Sequence, residues 1–141
     1  MGLMFPKRRT KAPAADRGKD VGHLRLIRAC PCLACLAEPA EAAHVRYSDA
    51  ARGKVNPGIG RKPEDRWTVP LCPRCHRTGT AAQHSTNERA WWEAHRIDPL
   101  AAAIALHRIS TTCRSRKLAE HMTIELMRAE VRRRHRRITN Q

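Results

Sequence analysis

"RWTVPLCPRCHRT" (residues 66–78) sets a short apolar run against two cysteines, and a histidine follows the second cysteine at once. Residues 66–72 read as a strand, with β-branched and apolar residues closed by proline, and residues 73–78 as the turn leading out of it. Working back along the chain, "CPCLACLAEPAEAAHVRYS" (30–48) offers a matching pair, Cys32 and Cys35, to set beside Cys72 and Cys75. Each Cys-x-x-Cys turn can aim two sulfurs at one point, and two such turns complete a tetrahedron. That is the ligand set of a closed structural zinc site. Thiolates suit zinc, a borderline-soft ion that undergoes no redox change. Disulfide pairing and redox chemistry are the alternatives for these four residues. Cys30 would give a wider spacing to Cys35 and is left outside the site, and Cys113 reads as an ordinary free thiol.

The bulk numbers call for such a staple. Aromatic residues make up only 4% of 141, too few for a large apolar core. A structural zinc site is worth on the order of 10 kcal/mol or more of apparent folding free energy. Lys and Arg number 28 against 13 acidic residues, a formal charge of +15 with His neutral. Such a field attracts polyanions, nucleic acid above all. A basic but inert ribosomal component has the same charge. No apolar run approaches the roughly 20 residues of a membrane span, so no membrane partner is expected. The opening lacks the apolar core of a secretory signal, and a cytoplasmic location is expected, where paired cysteines bind metal more often than they form disulfides.

Residues 1–19 are basic and rich in Pro, Ala and Gly, and read as a disordered arm. Residues 20–29 predict a short helix capped by Asp20, and 43–47 a first strand. Residues 49–65 combine Gly, Pro and cations in a loop. Ser85 and Glu88 have capping-box spacing ahead of Trp91 and Trp92, which read as core packing against the zinc region. Asp98 and Pro99 open a helix through about His107. From Thr112 a single long helix is expected, with Leu118, Met122, Leu126 and Ala129 on one face and arginines crowding its end. His23, His107, His121 and His135 read as solvated, and His95 as a cap or packing residue. His44, His76 and His84 differ, since each sits beside the clamp or on the strand leading from it.

The whole order is Cys-x-x-Cys, a histidine on a strand, a basic Gly-containing loop, a strand, then Cys-x-x-Cys-His. Carried by "CLACLAEPAEAAHVR", "GIGRKPEDRWTVPLCPRCHR" and "NERAWWEAHRIDPLAAA", it resembles the HNH (ββα-metal) endonucleases. The similarity is to phage and prophage members related to the recombination enhancement function nuclease. The resemblance implies a small α+β chain. It would have a zinc-stapled ββα-metal core over 20–110, flanking helices and a basic C-terminal helix over 111–141, behind the arm 1–19. It implies His44 as general base, His76 as ligand of a catalytic divalent ion, and His84 as a second candidate ligand. Two departures stand out. Ala43 occupies the place where many members carry an acid or histidine, and Trp67 falls where the usual Asn would be. Asp65 resembles the subgroup's carboxylate and could orient His44 or bind metal.

The implied activity is phosphodiester hydrolysis. An ordinary imidazole, with pKa around 6.5, can take a proton from water near neutral pH. The resemblance implies Mg²⁺ or Mn²⁺ as the ion and a 5′-phosphate product. Another divalent ion also suits imidazole ligands, which are soft for Mg²⁺. Arg46, Arg52, Lys54, Arg61 and Lys62 are the expected phosphate contacts on double-stranded DNA. Such contacts position a duplex without reading its sequence, so weak sequence preference follows. The Arg-rich end of the last helix is assigned to nonspecific grip or to contact with a second protomer of a homodimer. The expected setting is a bacterial or phage-infected cell. The rivals are a non-catalytic zinc-ribbon nucleic-acid-binding protein and a ribosome-associated protein.

Overall fold

The computed structural model describes residues 18–55, 58 and 60–141, so residues 1–17 of the expected basic arm lie outside the described residues. The chain is a small α+β structure built on one two-stranded antiparallel sheet. Helix α1 (Val21–Arg28) starts at Asp20, whose carboxylate accepts the His23 N–H at 3.0 Å. Its buried residues His23, Leu26 and Ile27 fall at helical spacing and form one face. The solvated position expected for His23 is therefore corrected: its side chain is fully buried.

Strand β1 (Glu41–His44) pairs with β2 (Thr68–Leu71), Ala43 standing opposite Val69 and His44 opposite Thr68. The first strand thus begins and ends earlier than the expected 43–47, although Val45 N–H still donates to Trp67 O at 2.8 Å. Side chains alternate across a strand. Ala43 and Val45 are fully buried on the core side, while Ala42, His44 and Arg46 face the other way and keep some exposure. All four residues of β2 are buried.

Helix α2 (Glu88–Ala94) carries Trp91 and Trp92 into the core. Its cap is Asn87, which accepts the Ala90 N–H at 3.1 Å, and not Ser85. Glu88 is drawn elsewhere: its carboxylate accepts from the Arg46 N–H, the Gln83 amide and the Trp92 indole. Helix α3 (Pro99–Ser115) starts as expected, with Asp98 accepting the Ala101 N–H and proline in the first turn, where a missing N–H costs nothing.

Two expectations about the C-terminal part are corrected. Helix α3 runs on past His107 to Ser115, and a separate helix α4 (Glu120–Thr139) follows. The break is a Schellman turn: Leu118 N–H bonds Cys113 O, Lys117 N–H bonds Arg114 O, and Lys117 has φ of 53°. The buried face of α4 is Thr123, Met127 and Val131, not Leu118, Met122 and Leu126, which are 40–49% exposed. Met127 and Val131 join the main core, and α4 lies against α1 and α3. Arg128 ties it to Ala29 O, and His135 Nδ1 meets Leu33 O at 3.2 Å, so His135 too is not simply solvated. No helix among the described residues is long and apolar enough to cross a membrane.

Candidate metal centre and histidine cluster

Cys32 and Cys35 precede β1, and Cys72 and Cys75 follow β2, so the antiparallel pairing brings the two knuckles to the same end of the hairpin. The four sulfurs all lie within 4.8 Å of one another. A tetrahedral centre with metal–sulfur bonds of about 2.3 Å has edges of roughly 3.8 Å. The Cys35–Cys72 and Cys75–Cys35 sulfur pairs stand 3.7 and 3.8 Å apart. The group is thus placed to hold a metal such as zinc. Cys30 stays out, its thiol donating to Leu26 O at 3.5 Å and its pKa pushed up to about 12 by burial.

The electrostatics agree with a cation site. Burial raises the Cys32 thiol to about 11, and burial with the neighbouring sulfurs raises Cys75 further. Cys72 shifts the other way: burial opposes its ionisation, but N–H and S–H bonds from Cys75 and its neighbours outweigh burial and favour the thiolate. Cys32 and Cys75 therefore resist ionisation by themselves. A divalent cation at the centre of the four sulfurs removes that restriction, because the thiolate is the ligand form.

On the outer face of the hairpin, His44 Nε2 meets Asp65 Oδ1 at 2.8 Å. An ionised carboxylate only accepts, so Nε2 carries the proton and Nδ1 keeps its lone pair. Asp65 is itself held. Its other oxygen accepts the Asp20 N–H at 2.7 Å, and the Asp20 carboxylate is gripped by both terminal nitrogens of Arg114 at 2.8 and 2.6 Å. The Arg114 fork, with the His23 N–H bond helping against burial, brings the Asp20 carboxyl down to about 2. A continuous set of bonds thus runs from the last turn of α3, through the cap of α1, to His44.

His76 sits in the single wide turn Arg74–Thr78 directly after the clamp, with its N–H bonded to Cys72 O at 2.9 Å. Its ring stands edge-on to His84, 4.4 Å between centroids. His76 Nδ1 meets Glu41 Oε2 at 2.6 Å, and Arg77 forks onto the same carboxylate at 2.6 and 3.0 Å. Chiefly through Arg77, Glu41 is held down at about 2. Arg46 lies two residues beyond His44 on the same side of the chain, and its Nη2 stands 3.0 Å from His84 Nε2. Arginine only donates, so that nitrogen of His84 accepts. Burial and then the Arg46 charge lower the His84 pKa.

The expected residues therefore gather as two separate contacts, His44 with Asp65 and His76 with His84, and Arg46 reaches the second. Among the described residues the four cysteines are the one group of three or more metal-ligating atoms within 4.8 Å of each other. His76 and His84 form no such group, and the His84 nitrogen facing Arg46 is already an acceptor. Asp65 has both oxygens engaged by His44 and Asp20, so its alternative role as a metal ligand is not the one its bonds describe.

The expected phosphate contacts divide. Arg61, Lys62 and Arg46 are exposed, Arg46 with its guanidinium at His84. Arg52 is forked onto Asp98 at 2.7 and 2.6 Å. Lys54 is buried, 1% exposed, which removes it from the surface a duplex would touch. Sequence reasoning missed Glu41 and Arg114, and read Asp20 only as a helix cap. Glu41 had a readable signal, an acid two residues before Ala43 on the same strand face. The Arg114 link joins residues 94 positions apart and left none.

Comparison of the chain with family models, with curated proteins and with solved structures finds no match.

Proposed function

We propose that the chain is a divalent-metal-dependent DNA endonuclease of the HNH type, with His44 as general base and His76, joined by His84, as ligands of the catalytic ion. The observation that carries this reading is the 2.8 Å contact of His44 Nε2 with Asp65, which leaves Nδ1 free to take a proton on the outer face of the hairpin. An imidazole oriented by a carboxylate is the arrangement that general-base catalysis needs. Asp65 fills the orienting role that Trp67 cannot. His76 and His84 would be the imidazole ligands of a divalent first-row ion, His84 only once Arg46 turns from it toward phosphate. When bound, such an ion supplies Lewis-acid stabilisation of the scissile phosphate and of the departing oxygen.

In this scheme His44 Nδ1 accepts the proton of the attacking water, and Asp65 stabilises the imidazolium that forms. Arg61 and Lys62 hold backbone phosphates, and Arg46 does so from beside His84. The product carries a 5′-phosphate. The Cys32, Cys35, Cys72 and Cys75 clamp holds zinc and takes no part in the chemistry.

Supercoiled-plasmid nicking with Mg²⁺, Mn²⁺ or chelator tests the reading. Cleavage that needs the ion and is lost in His44→Ala and His76→Ala, with DNA binding retained, supports it. DNA binding by the wild type without cleavage under any of these ions would leave the non-catalytic zinc-ribbon reading in its place.

A further inference from the structure

Asp65 is held at each of its polar groups. Its N–H donates to Gly18 O at 2.8 Å, its carbonyl accepts the Thr68 hydroxyl at 2.7 Å, and its carboxylate is shared between His44 and the Asp20 N–H. Residues 18–20 therefore lie as a strap along Asp65, bonded to it at both ends. The strap has room for no side chain at its start: Gly18 has φ of 90°, and a Cβ there would fall 2.5 Å from the Glu64 side chain. Its far end is fastened by Arg114, whose planar fork grips the Asp20 carboxylate at 2.8 and 2.6 Å. The last torsion of an aspartate is soft and roughly two-fold, so a free carboxylate would turn. With Oδ2 tied to a backbone N–H, Oδ1 stays aimed at Nε2 of His44.

We propose that Arg114 and Asp20 are positioning residues for His44. The guanidinium fixes the Asp20 turn, the Asp20 N–H fixes the Asp65 carboxylate, and Asp65 holds the imidazole in its Nε2–H form with Nδ1 free. Both residues act only through Asp65. The part this relay plays in cleavage rests on the reading of His44 as general base, while the orientation of the ring does not require the chain to cut DNA.

The test reads nitrogen-15 shifts of the His44 ring in the full chain at about pH 8.5, where ordinary imidazoles are neutral, beside single-turnover plasmid nicking. Wild type should show Nε2–H alone, and Asp65→Ala a mixture of tautomers. Arg114→Gln should give a mixture too and slow nicking by about tenfold, less than the loss of the base itself. Asp20→Asn should match it: asparagine still caps α1, so the fold is kept, but the charge that holds Arg114 is gone. Arg114→Lys keeps the charge and loses the fork, and should fall between wild type and Arg114→Gln. In an Asp65→Ala background, Arg114→Gln should change neither the ring nor the rate, since its path is then cut. An Nδ1–H ring in the wild type, a measurement that needs no variant, would overturn the proposal. So would an unchanged ring in both Arg114→Gln and Asp20→Asn, or an effect of Arg114→Gln on the ring that survives without Asp65. The expected ring shifts in a chain that nicks nothing would uphold the positioning and sink the nuclease reading alone. Nicking that needs His44 but proceeds with an unmoved ring in both variants would do the reverse.

Discussion

His44 Nε2 and Asp65 Oδ1 stand 2.8 Å apart, and that one contact decides which nitrogen of the imidazole stays available. If His44 is the base, His44→Ala should slow single-turnover nicking by about 10²–10⁴-fold, the range of a lost general base. Asp65→Ala should slow it in the same direction, because the ring then loses its fixed tautomer. An unchanged rate in His44→Ala would remove the imidazole from the reaction.

Removing the metal from the four cysteines should unfold the hairpin end of the molecule. One equivalent of zinc is expected by elemental analysis, and a strong chelator should lower the thermal midpoint sharply. Cys72→Ser should purify without stoichiometric zinc and lose cooperative unfolding, since structural zinc contributes about 10–16 kcal/mol of apparent folding free energy in small domains. Full stability after complete zinc removal would contradict a structural role.

His23 is the acid-sensitive point of the fold. It is fully buried, neither ring nitrogen has a hydrogen-bond partner, and burial, with the nearby His107, brings its pKa from 6.5 down to about 4. The unfolded chain therefore takes up this proton first. The contribution is fully present above pH 6.5 and is lost as pH falls through 4, about 3 kcal/mol over that window. His23→Leu should flatten this limb of a pH–stability curve measured by denaturant unfolding. Any remaining acid loss near pH 2–4 belongs to groups such as Asp20, whose ion pair with Arg114 breaks only there.

The two faces of α4 should respond differently to truncation. Met127 is fully buried, and Met127→Ala should cost about 2–5 kcal/mol. Met122 is 49% exposed, and Met122→Ala should stay within about 0.5 kcal/mol of wild type. A larger loss in Met122→Ala than in Met127→Ala would mean that α4 docks by the other face.

These contrasts show what a sequence carries and what it does not. The four sulfurs were legible because Cys-x-x-Cys is a local geometry, and the Asp20 and Asp98 caps because a cap acts within three residues. The α3–α4 break was hidden because Lys117 adopts the left-handed conformation that glycine would have announced. The burial of His23, and of Met127 in place of Met122, is set by which neighbour each helix meets, and periodicity alone does not rank two apolar stripes. Asp65 was foreseen beside His44, whereas the support behind it comes from Arg114, brought there only by the path of α3.

The sulfur knot has a consequence beyond holding the chain together. A two-stranded ribbon of four residues a side has little to prevent it from slipping, and a slip of one residue turns every side chain to the opposite face. Tying the two chain segments just outside the open end of the ribbon fixes the pairing of Glu41 with Leu71, and hence of His44 with Thr68. A metal held by these four sulfurs would thereby decide whether the outer surface displays an imidazole or the methyl group of Ala43.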